Sequence, residues 1–361
     1  MYRYEHGGNA FYNNPDMIDF SANINPLGLP NGVADAIKAA ITDCTRYPDP
    51  FSSELRDIIA DYEKCDSSQI ICANGASEII FRLSNWLRPK RALILAPTFS
   101  DYERALIASG CTCIYRYQLF EKNDFDLDYG ILEVIKNGNF DVVWLCNPNN
   151  PTGCLIPKKL LDEIVNLCYR LDCYVVVDEC FMDFVSDKAS YTVKSDIEQY
   201  QNLIVLKAFT KIFAMAGIRL GYALCNNQKV IDGLYYHGAD WSVSGLAQAA
   251  GVAALSNPEE YISKSLRYID MEKSKLKSCF ESAGFKVFGS SANYLFIKNE
   301  YNFDLKETLL EKHRMMIRSC ANYHGLSKQF CRIGVLKAEQ NQKLMGVIKN
   351  SSYYQEEFRH G

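Results

Sequence analysis

Four short apolar runs recur through the middle of the chain: RALILAP (91–97), DVVWLC (141–146), CYVVVDE (173–179) and NLIVLKA (202–208). They are rich in β-branched residues and fit strands covered on both faces of a parallel sheet. Between them the period changes. In PKKLLDEIVNLCYRL (157–171), apolar residues fall at 160, 161, 164, 165, 167, 168 and 171, the spacing of an amphipathic helix. Pro157 suits the first turn of that helix. Alternation of this kind predicts an α/β layered domain with right-handed crossovers.

After about residue 235 the pattern shifts. A helical stretch (257–284) precedes KVFGSSANYLFIKN, HRMMIRSC and QFCRIGVL, which read as strands separated by irregular turns. The expected division is a large domain over 46–235 and a smaller α+β C-terminal domain over 236–361. Residues 1–45, with NINPLGLPNG as a loop, are expected to pack on the small domain and the site. A chain of 361 residues, 48% hydrophobic, can supply two cores of this size.

The formal net charge is −4, with no basic tail, so nucleic acid is a poor candidate partner. No window has the apolar length of a transmembrane helix, and the opening residues lack the apolar core of a signal peptide. A soluble cytoplasmic protein is expected. Its 14 cysteines are spread through strand-like runs, as at Cys72, Cys146, Cys173 and Cys225, where cysteine behaves as a small hydrophobe. Cys111 and Cys113 have no second pair at ligand spacing, so no metal site is expected.

Four features fall at strand ends or on the loops that follow, where open α/β sheets bind ligands. CANGASEIIFRL (72–83) reads as a strand, a turn and a helix start, whose backbone N–H groups, with Ser77 beside them, would cradle an anion, Gly75 permitting close approach. A simple capped junction would read the same way. CNPNNPTG (146–153) is either ordinary turn chemistry or a loop presenting an asparagine amide. Asp178 closes a buried strand and is either a cap or a charge held for a heterocyclic nitrogen. Lys211, in AFTKIFAMAGIRLGY (208–222), sits among apolar residues that would depress its pKa and make it a nucleophilic amine. A surface lysine is the plainer alternative, and it suits Lys207 better than Lys211. Together the four supply what pyridoxal phosphate requires: a Schiff-base lysine, an acid for the ring nitrogen, a donor to the phenolic oxygen and a phosphate cup.

On these residues the chain resembles the fold-type I pyridoxal-phosphate enzymes, in the branch containing histidinol-phosphate aminotransferase. The resemblance runs over nearly the whole length and implies a mostly parallel sheet flanked by helices. It further implies that Lys211 carries the cofactor, Asp178 pairs with the ring nitrogen, Asn150 meets the phenolic oxygen and Phe99 stacks on the ring. Ala76, Ser77, Thr210 and Arg219 would hold the phosphate, with Tyr47 reaching in from the second subunit of a homodimer.

Within that branch HGGN (6–9), DFSANINPLGLP (19–30), PTFSDYERAL (97–106), DECFMDF (178–184) and IRSCANYHGL (317–326) resemble the threonine-phosphate decarboxylases of cobalamin biosynthesis. Phe181 stands where the aminotransferases usually carry tyrosine. The likeness implies that His6, Gly7, Asn23, Asn150, Arg318 and Arg332 contact the substrate. Ala208 departs from the family, which usually has a phosphate-binding serine there. The implied reaction is decarboxylation of O-phospho-L-threonine or O-phospho-L-serine, with amino transfer to or from a phosphorylated substrate as the alternative.

Overall fold

The computed structural model describes residues 6–8 and 16–350. After a two-residue strand, β1 (Ile18–Asp19), the chain builds a seven-stranded sheet from β2 (Ile70–Ala73), β3 (Arg91–Ala96), β4 (Cys113–Gln118), β5 (Val142–Cys146), β6 (Tyr174–Asp178), β7 (Leu203–Ala208) and β8 (Gly221–Leu224). Their order across the sheet is β2-β8-β7-β6-β5-β3-β4. The strands from β7 to β4 run parallel, and β8 is antiparallel to both its neighbours. The four strands expected from the sequence are β3, β5, β6 and β7. Strands β5 and β7 are buried at every position, as strands covered on both faces must be.

The helix expected near 157–171 spans Lys158–Arg170 and buries Leu160, Leu161, Ile164, Val165 and Cys168. Pro157 lies just before it, and its carbonyl accepts from the Leu160 and Leu161 amides. The helix Ala76–Leu87 starts directly beyond β2.

Beyond a 25-residue helix, Pro258–Ser282, come β9 (Lys286–Phe288), β10 (Tyr294–Lys298), β11 (Met315–Met316), β12 (Arg318–Ser319) and β13 (Phe330–Gly334). A four-stranded sheet forms in the order β12-β13-β10-β9, while β1 pairs with β11. One face packs Leu295, Ile297, Cys331 and Ile333 with Leu276, Phe280 and Leu344 from the helices Pro258–Ser282 and Ala338–Asn350. The other face carries Phe288, Phe296 and Phe330, which meet the Phe125 ring edge-on at 5.2–5.8 Å. The second sheet is thus docked on the first by an aromatic cluster, a contact that carries stabilisation beyond its buried area. Residues 18–25 run between the two sheets: Phe20 joins the smaller core, and Asn25 Nδ2 donates to the Ile212 carbonyl and to Ser265 Oγ, both at 2.7 Å.

Candidate active site

Strands β5, β6 and β7 end at one cavity of about 790 Å³, which the loop after β3 also reaches. His6, Gly7, Asn23, Ala76, Ser77, Phe99, Asn150, Asp178, Thr210, Lys211, Arg219, Arg318 and Arg332 all line it. Two expected residues do not. Gly75 lies just behind the wall, and Tyr47 is 80% exposed, stacked on Trp241 at 4.5 Å.

Lys211 sits in a single helical turn, Phe209–Ile212, entered directly from β7. Its ammonium lies 3.4 Å from Asn23 Oδ1 and 5.8 Å from the centre of the Phe181 ring. Burial lowers its pKa to about 8; Arg332 and Arg219 push the same way, and Cys180 and Asp178 oppose them. A lysine so placed is still mostly protonated near neutral pH, but it holds a far larger share of the neutral amine, the form an amine nucleophile must take, than a lysine at its ordinary value.

Asp178 ends β6 and is buried. Its Oδ2 accepts from the Tyr102 hydroxyl at 2.6 Å and its Oδ1 from the Cys180 amide at 2.9 Å. Among the described residues no cation lies within ion-pair distance of it. A buried carboxylate without a cationic partner is costly, and a pyridinium ring in the cavity would supply the missing charge.

The phosphate cup is set by backbone geometry. Gly75 has φ +85°, and a Cβ there would fall 2.6 Å from Arg219 Nη2. The lack of a side chain therefore lets the guanidinium lie against the start of the helix Ala76–Leu87. The Glu78 amide of that helix already donates to the Gly75 carbonyl at 3.1 Å, so the Ala76 and Ser77 amides are the first-turn donors without an intrahelical acceptor. Thr210 supplies a buried hydroxyl beside them, whereas Ala208, also on the cavity wall, supplies none.

The two asparagines of CNPNNPTG divide the work. Asn149 holds the loop: its Nδ2 donates to the Pro97 carbonyl and to Thr152 Oγ1, both at 3.0 Å, and its carbonyl accepts from the Tyr294 hydroxyl at 2.8 Å. Asn150 faces the cavity. Its Oδ1 accepts from Arg332 Nη1 at 2.6 Å, which leaves the amide nitrogen to donate outward. Arg332 also donates to the Ser21 carbonyl at 2.9 Å.

The reading of Lys207 as the surface lysine is corrected. Lys207 is 3% exposed, and its ammonium lies 3.3 Å from Glu179 in a cluster with Asp183 and Glu63. Strand alternation is the reason: Ala208 faces the cavity, so Lys207 points to the opposite face of the sheet. Those three acids hold its pKa well above the ordinary lysine value, against the effect of burial.

Several cavity residues carried no recognised signal in the sequence: Asp19, Ser21, Asp101, Tyr102, Cys180 and Tyr323. Ser21 Oγ donates to Asp19 Oδ1 at 2.5 Å and accepts from the Gly8 amide at 2.9 Å, tying residues 6–8 to the site. Asp101 accepts from Arg104 at 2.5 Å and pairs with His6 at 3.2 Å. Tyr102 stands three residues after Phe99, one helical turn on, and that spacing was the available clue.

A lysine beyond β7, an acid at the end of β6 and an anion cradle beyond β2 define a fold-type I pyridoxal-phosphate enzyme, and this chain's cofactor is pyridoxal 5'-phosphate. The chain belongs to the family described as aminotransferase class I and II, whose model matches residues 15–348. It is 33% identical over 359 residues to threonine-phosphate decarboxylase of Salmonella typhimurium, covering 97% of each protein. It is 31% identical over 340 residues to histidinol-phosphate aminotransferase of Desulfitobacterium hafniense, covering 92% of this chain and 91% of that one. The crystal structure of histidinol-phosphate aminotransferase from Clostridium acetobutylicum superposes with a TM-score of 0.85 at 32% identity, over 92% of this chain and 98% of that one.

Proposed function

We propose that the chain decarboxylates an O-phospho-L-amino acid, O-phospho-L-threonine or O-phospho-L-serine, to aminopropanol phosphate or ethanolamine phosphate. One observation carries this reading. Arg318 on β12 and Arg332 on β13 are directly opposed in the antiparallel register, so both side chains project from one face of the sheet, and both line the cavity. Like charges placed opposite each other destabilise a sheet. Among the described residues neither arginine forms an ion pair with a carboxylate. A substrate with two anionic groups flanking its amine would match them.

Arg332, fixed by Asn150 and Ser21, is assigned the α-carboxylate. Arg318, with His6 and Asn23, is assigned the phosphate, since guanidinium forks suit bidentate anion recognition. Asn23 has a spare donor for this purpose, because its buried Nδ2 has no protein partner. Pyridoxal phosphate held there would supply the electron sink for a bond broken at Cα. As the Cα–carboxylate bond breaks, carbon dioxide leaves, and Lys211 delivers the proton that takes its place on Cα. Asp178 holds the proton on the ring nitrogen throughout. Phe181 supports the decarboxylase assignment, since it places an apolar ring where the aminotransferases usually present a hydroxyl.

The proposed assembly is a homodimer in which Tyr47 enters the partner's site. Exposed Ile41, Tyr47, Phe51, Tyr236 and Trp241 gather at residues 41–51 and 236–241, where they would cover one another's counterparts. The test incubates the holoenzyme with phosphoserine, phosphothreonine and histidinol phosphate, each with and without 2-oxoglutarate. Carbon dioxide release without a keto acid is the expected result. Strict keto-acid dependence with glutamate formation would overturn the reading in favour of amino transfer. Sedimentation of the same preparation as single chains would refute the dimer.

A further inference from the structure

Tyr102 is fully buried, yet its hydroxyl reaches one charged group. The ring stacks on Trp144 at 5.3 Å and 21°, and meets Phe99 edge-on at 5.6 Å. Held on both sides, the phenol donates to Asp178 Oδ2 at 2.6 Å, and the other Asp178 oxygen accepts the Cys180 amide. No cation lies in ion-pair distance among the described residues, so the carboxylate is held by neutral donors, the Tyr102 hydroxyl and the Cys180 amide among them. Donors to the charged form of an acid stabilise that form and weaken it as a base.

We propose that Tyr102 is a positioning residue for Asp178: its hydroxyl fixes the carboxylate and keeps it the weaker base, so that the cofactor's ring nitrogen keeps the shared proton. Burial and the Asp178 charge raise the Tyr102 pKa well above its ordinary value, so the phenol stays a donor at every working pH. Phe99, the ring expected to stack on the cofactor, rests against the same phenol. One side chain therefore orients both the face contact and the acid partner of the cofactor ring. The inference rests on the cofactor assignment and not on the choice of substrate.

The experiment compares wild-type holoenzyme with Tyr102→Phe, which keeps the ring and its stacking but removes the donor. The visible absorbance of the bound cofactor is titrated against pH, and kcat and KM are measured. The expected result is a rise of about half a unit or more in the absorbance midpoint, because a more basic Asp178 draws the proton off the ring nitrogen. A fall in kcat on the order of tenfold should accompany it, with KM changed by less than about threefold. Trp144→Phe, which disturbs packing but leaves the phenol–carboxylate bond, should not move the midpoint. An unchanged midpoint in folded Tyr102→Phe, or an equal shift in Trp144→Phe, would overturn the proposal. If Tyr102→Phe does not fold, 3-fluorotyrosine at position 102 retains the shape with a more acidic hydroxyl. It should then lower the midpoint, and no movement would overturn the proposal. Absence of any visible band in the wild type would refute the cofactor assignment itself.

Discussion

Lys207 and Lys211 are four residues apart, on either side of the point where β7 leaves the sheet, and their surroundings differ sharply. Lys207 lies beneath the sheet among acids. Glu179 is 3.3 Å from its ammonium, and its carboxylate also accepts from Thr192 Oγ1 and the Val193 amide. Asp183 and Glu63 stand in the same cluster, held by Lys188 and Tyr222 at 2.7 and 2.5 Å. Lys211 lies above the sheet, where Arg332 and Arg219 lower its pKa against the opposing Cys180 and Asp178. Burial pushes both lysines toward neutrality, yet one stays a fixed cation and the other becomes an amine. Company, and not burial alone, decides which lysine is chemically available.

The largest effect expected from breaking this contrast is at Lys211. Lys211→Ala should lower turnover by more than about 10³-fold, because it removes the nucleophile and the proton donor together. Pyridoxal phosphate should still bind, held by the cup at Ala76, Ser77, Thr210 and Arg219, but should come away on gel filtration in denaturant without reductive trapping. Borohydride treatment followed by peptide mapping checks this: the label should appear on the peptide containing Lys211 in the wild type and be absent from the variant. Label on Lys207 would reverse the assignment.

Lys207→Met should act on stability instead. Methionine fills much of the lysine volume, but Glu179 would be left buried without its cation. Removing one partner of a buried pair costs about 3–5 kcal/mol. The urea midpoint should fall accordingly, while the cofactor absorbance of the folded variant stays close to that of the wild type. An unchanged midpoint would mean that the acid cluster tolerates the loss by taking up a proton.

The strands were readable because they are buried on both faces: an unbroken apolar run needs no partner to be recognised. β4 and β8 were not identified, for two different reasons. β4 is an edge strand with exposed Tyr115 and Arg116, so its pattern is mixed. β8 is only four residues long and follows directly on the Arg219 loop. The site was legible where residue chemistry was unusual for its place, as at Asp178 closing an apolar strand or Lys211 among phenylalanines. It was illegible where position alone mattered. LKAFTK singles out Lys211 but does not show that Lys207 is buried and paired, because the three acids come from residues 63, 179 and 183. Tyr102 was hidden for the same reason, since its partner is 76 residues away in the chain.

The smallest expected effect, and the sharpest test of the contrast, is in pH dependence. Capture of the cofactor aldehyde by the apoprotein requires a neutral amine. With its pKa lowered to about 8, Lys211 is increasingly protonated below that pH and neutral above it. The capture rate should therefore climb about tenfold per pH unit below 8 and level off above it. A lysine at its ordinary value would give a rate still rising beyond pH 10. Stopped-flow absorbance after mixing apoprotein with pyridoxal phosphate measures this directly. Arg332→Gln removes one of the charges that lower the Lys211 pKa, so its plateau should begin at a higher pH. Lys207→Met, on the far face of the sheet, should leave the plateau where it is. If Lys207→Met moved it as far as Arg332→Gln does, the two lysines would be electrostatically coupled through the strand, and the division between a structural cation above Glu179 and a reactive amine beside Asn23 would have to be abandoned.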